Sequence, residues 1–386
     1  MDYKIELEKL KEAFLYREIK KIEKIEGKYI FFEGKKYLDF SSSNYLGLRD
    51  DKRIIETMKK ALDEYGVGSG ASRLVVGTAK VFEELEEYIA KLKNKEKALF
   101  FNSGYDLNLG VISAIANKDT YVFCDKLNHA SIYDGISLSK ANLIRYKHND
   151  IEDLERNLEK YKEVEDKFLV TDTVFSMDGD KVKLKEIVKL KDKYGFKIMV
   201  DEAHAGGVLG ENGMGFVEEE NLYEKIDIIM GTFSKAYGGQ GAYVVGDKDF
   251  IEYLINKTRS LIYTTSLPPS IVAANLEAMK ISVDEKFRKE ILKENSKYLR
   301  ETLCKEGFFI GESETQIIPI IFSNNEEALF YYEELLKRGI YLPAIRKPTV
   351  MKARLRISLG YNIEKTDVEY LINALMEIKN TLNWER

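Results

Sequence analysis

Between about residues 96 and 246, short apolar runs alternate with longer stretches of helical period, and no other feature restricts the fold as tightly. The runs are KALFF, TYVFC, KFLVTD, KIMVDE, DIIMG and AYVVG, each of strand length. Between them, DLNLGVISAIAN, IEDLERNLEKY and LKEIVKLKDKYG place apolar residues on a helical repeat. A strand that is apolar along its whole length is buried on both faces, and parallel strands need a crossover that is usually a helix. The pattern therefore predicts an α/β domain with a mostly parallel sheet covered by helices on both faces.

The flanks read differently. The opening segment has Leu7, Leu10, Phe14 and Leu15 on a helical period. A hairpin follows, with Glu33-Gly34 as the turn between KYIFF and KKYLDF. RIIETMKKALDEYG is a helix ended by Gly66, and VFEELEEYIAKLKN is another. Pro268 and Pro269 break the chain before long helices around 271–305. Beyond them come QIIPIIF, the helix EEALFYYEELLKRG, ARLRISL and a closing helix from about Thr366, the outline of a smaller α+β domain. The expected division is an N-terminal segment, 1–45, packing with a small domain, 271–386, and a large domain, 46–270.

Composition removes whole classes of function. With 44% hydrophobic and 32% charged residues, the 386-residue chain is globular rather than disordered. A formal net charge of −5 argues against a general nucleic-acid surface. The charged N-terminus has no apolar core of a secretory signal, and no run approaches membrane-spanning length. Cys124 and Cys304 are far apart, as expected of a protein of the reducing cytoplasm. His129, His148 and His204 lack metal-ligand spacing, so no metal site is expected. GVGSGA (66–71) fits a dinucleotide pattern but follows a helix rather than a strand. DEAH (201–204) has no phosphate loop to accompany it.

What remains is a set of polar residues after the predicted strands. Asp201 ends KIMVD, at the edge where open α/β sheets collect ligands. Lys235 follows DIIMG inside GTFSKAYGGQG, whose small residues give a ligand close access to the backbone and leave little to hold water. A lysine in a dry site becomes a nucleophile and base, and a carboxylate can hold a pyridine nitrogen protonated; the pair suggests pyridoxal 5′-phosphate. NSGYDLNLG offers Ser103 and a helix N-terminus to a phosphate, and His129 could stack on the ring. Singly, each has an ordinary reading: a solvated turn lysine, a loop-capping aspartate, a common strand–helix turn, a hydrogen-bonded histidine. Together, Ser103, Gly104, His129, Ser176, Asp201, His204 and Lys235 all follow strands of one sheet, which a cofactor site requires.

The blocks NYLGL, GSGASR, NSGY, NHASI, VFSMDGD, VDEAHAGGVLGENGMG, GTFSKAYG and YTTSLPP, in that order, resemble the α-oxoamine synthases across nearly the whole chain. The resemblance implies the pyridoxal-phosphate transferase fold of type I, with a mostly parallel seven-stranded sheet and a smaller α+β C-terminal domain. It implies an acyltransferase that condenses an amino acid with an acyl-CoA, or an acyl-carrier-protein thioester, and releases CO₂. Lys235 would hold the cofactor's aldehyde and shuttle the proton, Asp201 would pair with the pyridine nitrogen, and His129 would stack on the ring. Ser103, Gly104 and Tyr105 would hold the phosphate, and Ser176, His204 and Thr232 would touch the cofactor. Two copies would share active sites, with Thr264 and Thr265 reaching the partner's phosphate.

Arg356 in ARLRISL would bind the amino acid's carboxylate, with Ser43, Arg346 and Thr349 at the substrates. The block AIRKPTV looks most like the branch that joins alanine to pimeloyl-CoA on the way to biotin; glycine with acetyl-CoA is the alternative. An aminotransferase or lyase on the same fold would keep Lys235 and Asp201 without a CoA site. Lys347 stands where that block has proline, the spacer to ARLR is about two residues short, and Ser43 stands where the family commonly has asparagine.

Overall fold

The computed structural model describes residues 2–13 and 15–384. Asp2 caps the first helix, α1 (Tyr3–Glu12), by accepting from Lys4 N at 3.0 Å. Leu7 and Leu10 on its apolar face are exposed, and Phe14 lies outside the described residues. The antiparallel strands β1 (Lys24–Glu26), β2 (Tyr29–Phe32) and β3 (Lys35–Asp39) follow. The hairpin turns on Glu33 and Gly34, at φ 51° and 68°, the paired left-handed conformation that matches the twist of a two-residue hairpin. Across it Phe32 stacks on Tyr37 with centroids 4.2 Å apart.

The sheet region opens with α2 (Lys52–Tyr65), which Gly66 ends at φ 77°, and α3 (Lys80–Leu92). Then come β4 (Lys97–Phe101), α4 (Gly104–Ile115), β5 (Tyr121–Asp125), α5 (Ala130–Ser139), β6 (Asn142–Tyr146) and α6 (Ile151–Lys160). The next elements are β7 (Lys167–Asp172), α7 (Leu184–Tyr194), β8 (Lys197–Asp201), α8 (Phe216–Glu219) and β9 (Ile228–Thr232). β10 (Ala242–Gly246), α9 (Lys248–Lys257), α10 (Arg259–Ile262) and α11 (Pro269–Asp284) complete it, α11 starting on the expected proline.

The seven strands run in the order β4-β10-β9-β8-β7-β5-β6, parallel except for β10. β7, β9 and β10 are buried at every residue, as their continuous apolar runs predict. β6 is absent from the strands read off the sequence. It is an edge strand whose NLIRY is mostly exposed or half-buried, so burial leaves no strong apolar signature. Alternate residues face opposite layers. Val122, Val170, Met199, Met230 and Val244 pack with Leu107, Val111 and Ile112 of α4 and Ile132 and Ile136 of α5. On the other face Phe100 meets Phe82 of α3 at 5.8 Å. Each such large apolar side chain contributes on the order of 1.5–3 kcal/mol by leaving water.

The remaining elements are α12 (Phe287–Lys305), β11 (Ile317–Ile321), α13 (Asn325–Lys337), β12 (Ile340–Tyr341), β13 (Ala344–Ile345), β14 (Arg354–Ser358) and α14 (Lys365–Trp384). β11, β14 and β13 form one antiparallel sheet, and β12 joins β3 in parallel. Two units result. The larger comprises 44–176 and 181–290, and the smaller 1–43, 177–180 and 291–386. The larger unit runs past the proline break at 268–269 because α11 packs on α2 and α3.

Candidate active site

Strand direction places the predicted residues. β5, β7, β8 and β9 are mutually parallel, and β4 shares their direction because both β4 and β9 run antiparallel to β10. The carboxyl ends of all five therefore open at one edge, and Ser103, His129, Ser176, Asp201 and Lys235 each follow one of them.

Asp201 is 3% exposed. Its Oδ2 accepts from Asn108 Nδ2 at 2.8 Å and its Oδ1 from the peptide N–H of Ala203 at 2.9 Å. Both donors are neutral, and among the described residues no lysine, arginine or histidine lies within ion-pair distance. A carboxylate so deeply buried is costly without a cation facing it. Asn108 also donates to Ser131 Oγ at 3.0 Å, and that hydroxyl lies 2.8 Å from His129 Nδ1. Asn108 thus bridges the aspartate and the histidine, while its own Oδ1 is buried without a partner.

His129 caps α5, and its peptide N–H donates to Asp172 Oδ2 at 2.7 Å. Its imidazole keeps access to solvent, yet the surrounding protein strips enough water to lower its pKa. The nearby Lys235 charge acts in the same direction and Asp201 opposes it. Asp172 is buried beside Asp201 in the β7–β8 register. Desolvation first, and the charge of Asp201 second, hold its carboxyl well above the usual range. On the far side, His204 Nδ1 lies 2.7 Å from the hydroxyl of the fully buried Tyr45.

Lys235 is half-buried, and among the described residues its amine has no hydrogen bond or ion pair. The loop around it is tied by Phe233 N to Gly241 O at 2.9 Å and by Gly238 N to Lys235 O at 3.0 Å. The glycines serve a different purpose from the one expected. A Cβ on Gly238 (φ 67°) would sit 2.3 Å from the backbone N of Arg49, and one on Gly241 (φ 104°) 2.3 Å from the ring of Phe100. These glycines let the loop close against protein; they are not an approach for a ligand. Thr232 also turns inward, donating to Gly241 O at 2.8 Å and contacting Ser234 Oγ at 2.6 Å.

At the first helix of this edge, Ser103 caps α4 by accepting from Asp106 N at 3.1 Å. The amides of Gly104 and Tyr105 precede the first intrahelical donor and are open to an anion. The Tyr105 hydroxyl is directed away, to Asp134. Asn102 donates to Thr265 O at 2.7 Å and to Thr264 Oγ1 at 3.4 Å, so both threonines lie beside this turn within one chain. Ser176, half-buried, follows β7.

The four substrate candidates belong to the smaller unit. Arg356 Nη1 donates to Ser358 Oγ at 3.0 Å. Its neighbour Arg354 is buried in an ion pair with Asp178 at 2.8 Å. Thr349 accepts from Arg17 at 3.0 Å, Arg346 is half-buried, and Ser43 is half-buried where the unit ends.

Sequence reasoning missed Asn108, Ser131, Asp172 and Tyr45. Asn108 had a signal, since it interrupts the apolar run of α4 among Leu107, Val111 and Ile112. Asp172 is the polar end of an otherwise buried strand, and Tyr45 sits in NYLGL without any local mark of its contact.

Residues 35–375 match the model for class I and II aminotransferases. The chain belongs to that family. Within it, the chain is an α-oxoamine synthase, as the relatives show. It is 46% identical over 375 residues to a Bacillus cereus (strain B4264) protein named "Putative 8-amino-7-oxononanoate synthase", covering 96% of this chain and 95% of the other. Serine palmitoyltransferase of S. paucimobilis, solved with a PLP–myriocin adduct, superposes with TM-score 0.94 at 31% identity, over 99% and 98% of the two chains. The 8-amino-7-oxononanoate synthase of Francisella tularensis gives TM-score 0.78 at 32% identity, over 90% and 98%.

The chain is accordingly a fold-type-I acyltransferase whose cofactor is pyridoxal 5′-phosphate. The site fits that group. Among the described residues it offers a buried carboxylate lacking a cation, a lysine amine lacking a hydrogen bond or ion pair, and open amides at a helix start.

Proposed function

We propose that the enzyme condenses L-alanine with pimeloyl-CoA to give 8-amino-7-oxononanoate, CoA and CO₂, a step of biotin synthesis. The observation that carries this reading is the 46% identity along 95–96% of both chains to a protein of that name, with AIRKPTV in its expected place.

The cofactor supplies an aldehyde for the amino group and a ring that accepts the electron pair left at Cα. Lys235 is the residue that would hold the aldehyde, and Asp201 the ring nitrogen. The amides of Gly104 and Tyr105, with Ser103, would hold the phosphate, and Thr264 and Thr265 would reach the phosphate bound by a second copy; Ser176, His204 and Thr232 would border the group. The Lys235 Nζ would take the Cα proton of the amino acid and later return one. His129, whose pKa desolvation lowers, would present the flat face of its imidazole to the ring. Arg356 holds the amino-acid carboxylate through a planar fork that lysine lacks. Ser43, Arg346 and Thr349 border the substrates.

A homodimer completes the reading. The exposed run Leu74, Val75 and Val76, with Val67, is an apolar surface that a second copy would cover. The cytoplasm is the proposed compartment; among the described residues no helix is long and apolar enough to cross a membrane.

The closer superposition on serine palmitoyltransferase favours a second reading, another amino acid and acyl donor on the same chemistry. CoA release measured for alanine, glycine and serine against pimeloyl-CoA, acetyl-CoA and palmitoyl-CoA decides between them. Preference for alanine with pimeloyl-CoA is expected; preference for glycine with acetyl-CoA or serine with palmitoyl-CoA overturns the assignment.

A further inference from the structure

Lys93 and Glu202 form an ion pair at 2.6 Å inside the larger unit, with both side chains fully buried. The Lys93 amine also donates to Met214 O, and Glu202 Oε1 accepts from Val217 N at 2.8 Å. The pair therefore joins the end of α3, the segment after β8 and the chain leading through α8, which are remote from one another in sequence. Glu202 is the next residue after Asp201, and its peptide N–H donates to Met230 O of β9 at 2.9 Å.

The loop that carries Lys235 is packed against the same pair. Tyr243 of β10 stands opposite Gly231 of β9, and the Lys93 amine lies 5.6 Å from the Tyr243 ring centroid. A Cβ on Gly231 would sit 2.4 Å from the Tyr243 hydroxyl, so GTFSK begins on a glycine because that tyrosine occupies the space. Beyond Lys235, Tyr237 is fully buried and its ring meets that of Phe233 at 5.4 Å. Burial first, and the Tyr243 phenol second, raise the Tyr237 pKa; the Lys93 charge opposes them and Glu202 adds to them. From the other side, Gly207 brings the segment after Asp201 onto the loop, where a Cβ would lie 2.6 Å from that of Ala236. Among the described residues the Tyr237 and Tyr243 hydroxyls have no hydrogen bond, so these rings are held by packing around the pair.

We propose that Lys93 and Glu202 are positioning residues, which lock the segment bearing Asp201 and the loop bearing Lys235 into one mutual arrangement. The assignment rests on the roles given above to Asp201 and Lys235. Apolar side chains of similar volume often hold a fold as well as a buried ion pair does; what the pair adds is direction, because its hydrogen bonds admit one arrangement of the segments they join. Glu202 acts through its neighbour Asp201, and Lys93 acts through Tyr243 and Tyr237 on the Lys235 loop. Groups that serve one reacting centre must be held to within roughly 0.5 Å, and a misplacement of about 1 Å can lower the rate about 10²-fold.

The test compares wild type with Lys93→Met/Glu202→Leu. Unfolding by urea should be close to that of wild type. On the substrate pair that wild type prefers, kcat should fall by about 10- to 100-fold while both KM values stay within about twofold. Visible circular dichroism of the bound cofactor, relative to its absorbance, should fall as well, since it reports how rigidly the group is oriented. In the cofactor-free variant the amides of Phe233, Gly238 and Gly239 should exchange hydrogen roughly tenfold faster or more, with those of β5 and β7 unchanged. A further measurement needs no variant. In cofactor-free wild type, the Val217 amide that donates to Glu202 should share one opening equilibrium, and one dependence on denaturant, with the loop amides. Loop amides that open independently of Val217 overturn the proposal, and so does a folded double variant with unchanged kcat and unchanged loop exchange. Shared opening, together with a Lys235→Ala variant that keeps turnover, upholds the coupling of loop and pair and defeats the role assigned to Lys235.

Discussion

Asp201 and Glu202 are adjacent carboxylates, both buried, with opposite electrostatic situations. Glu202 is fully neutralised. Its Oε2 lies 2.6 Å from the Lys93 amine, its Oε1 accepts from Val217 N at 2.8 Å, and both side chains are 0% exposed. Burial pulls the Lys93 ammonium toward neutrality, but Glu202 overrides it and raises its pKa. Asp201 has only neutral donors and is aimed at the sheet edge where Lys235 emerges. A charge with its partner inside the chain stabilises the fold against its own desolvation, whereas a charge without one is held ready for a ligand. The strand turns one carboxylate to each purpose, because successive side chains of β8 and its extension point to opposite faces.

Substitutions can break this comparison. The largest effect is expected at Lys235. Lys235→Ala should lose on the order of 10²–10⁴-fold in turnover from the proton transfer alone, and lose the visible absorbance of the bound cofactor, with unfolding by urea unchanged. On the paired side, Lys93→Met strands a buried Glu202 and should cost about 3–5 kcal/mol in the same unfolding measurement. Lys93→Met/Glu202→Leu should recover most of that loss; if it does not, the pair is more than structural.

Asp201→Asn sharpens the contrast from the other direction. Turnover is expected to fall by about 10²–10³-fold, the scale of losing one preorganised electrostatic contact, while the cofactor-free protein is no less stable. A matching loss of stability would put Asp201 in the same class as Glu202.

The smallest effect concerns Asp172, whose folded pKa is raised. A raised carboxyl contributes stability fully below its unfolded pKa, near 3.8, and loses it as pH rises through the folded value. Asp172→Asn keeps an acceptor for His129 N–H and removes that loss. Its melting temperature without cofactor should exceed wild type at pH 8, and the difference should vanish near pH 4. A difference independent of pH would refute the titration.

Much of this site is legible in the chain because each residue follows a strand that sequence periodicity already reveals. Asp201 and Lys235 are separated by a single crossover, so reading KIMVD and DIIMG as parallel strands places both at one edge. Asn108 and Tyr45 could not be assigned that way. Asn108 reaches Asp201 from a helix that precedes it by three strands of the chain, and only packing of α4 on the sheet joins them. The glycine run was misread for a related reason. GTFSKAYGGQG signals close approach, but whether a ligand or Arg49 and Phe100 approaches is a tertiary fact. Arg354 and Arg356 stand two residues apart with the same side-chain type, and no local pattern records that Arg354 meets Asp178 from the 177–180 segment.

The sequence alone determined the buried strands, most of the long helices, the hairpin and the chemistry-bearing residues after those strands, because these depend on periodicity and local backbone preference. Which buried charge is neutralised was decided by the tertiary structure. Neutralisation depends on side chains such as Lys93 and Glu202 meeting across a distance in sequence that no local pattern records.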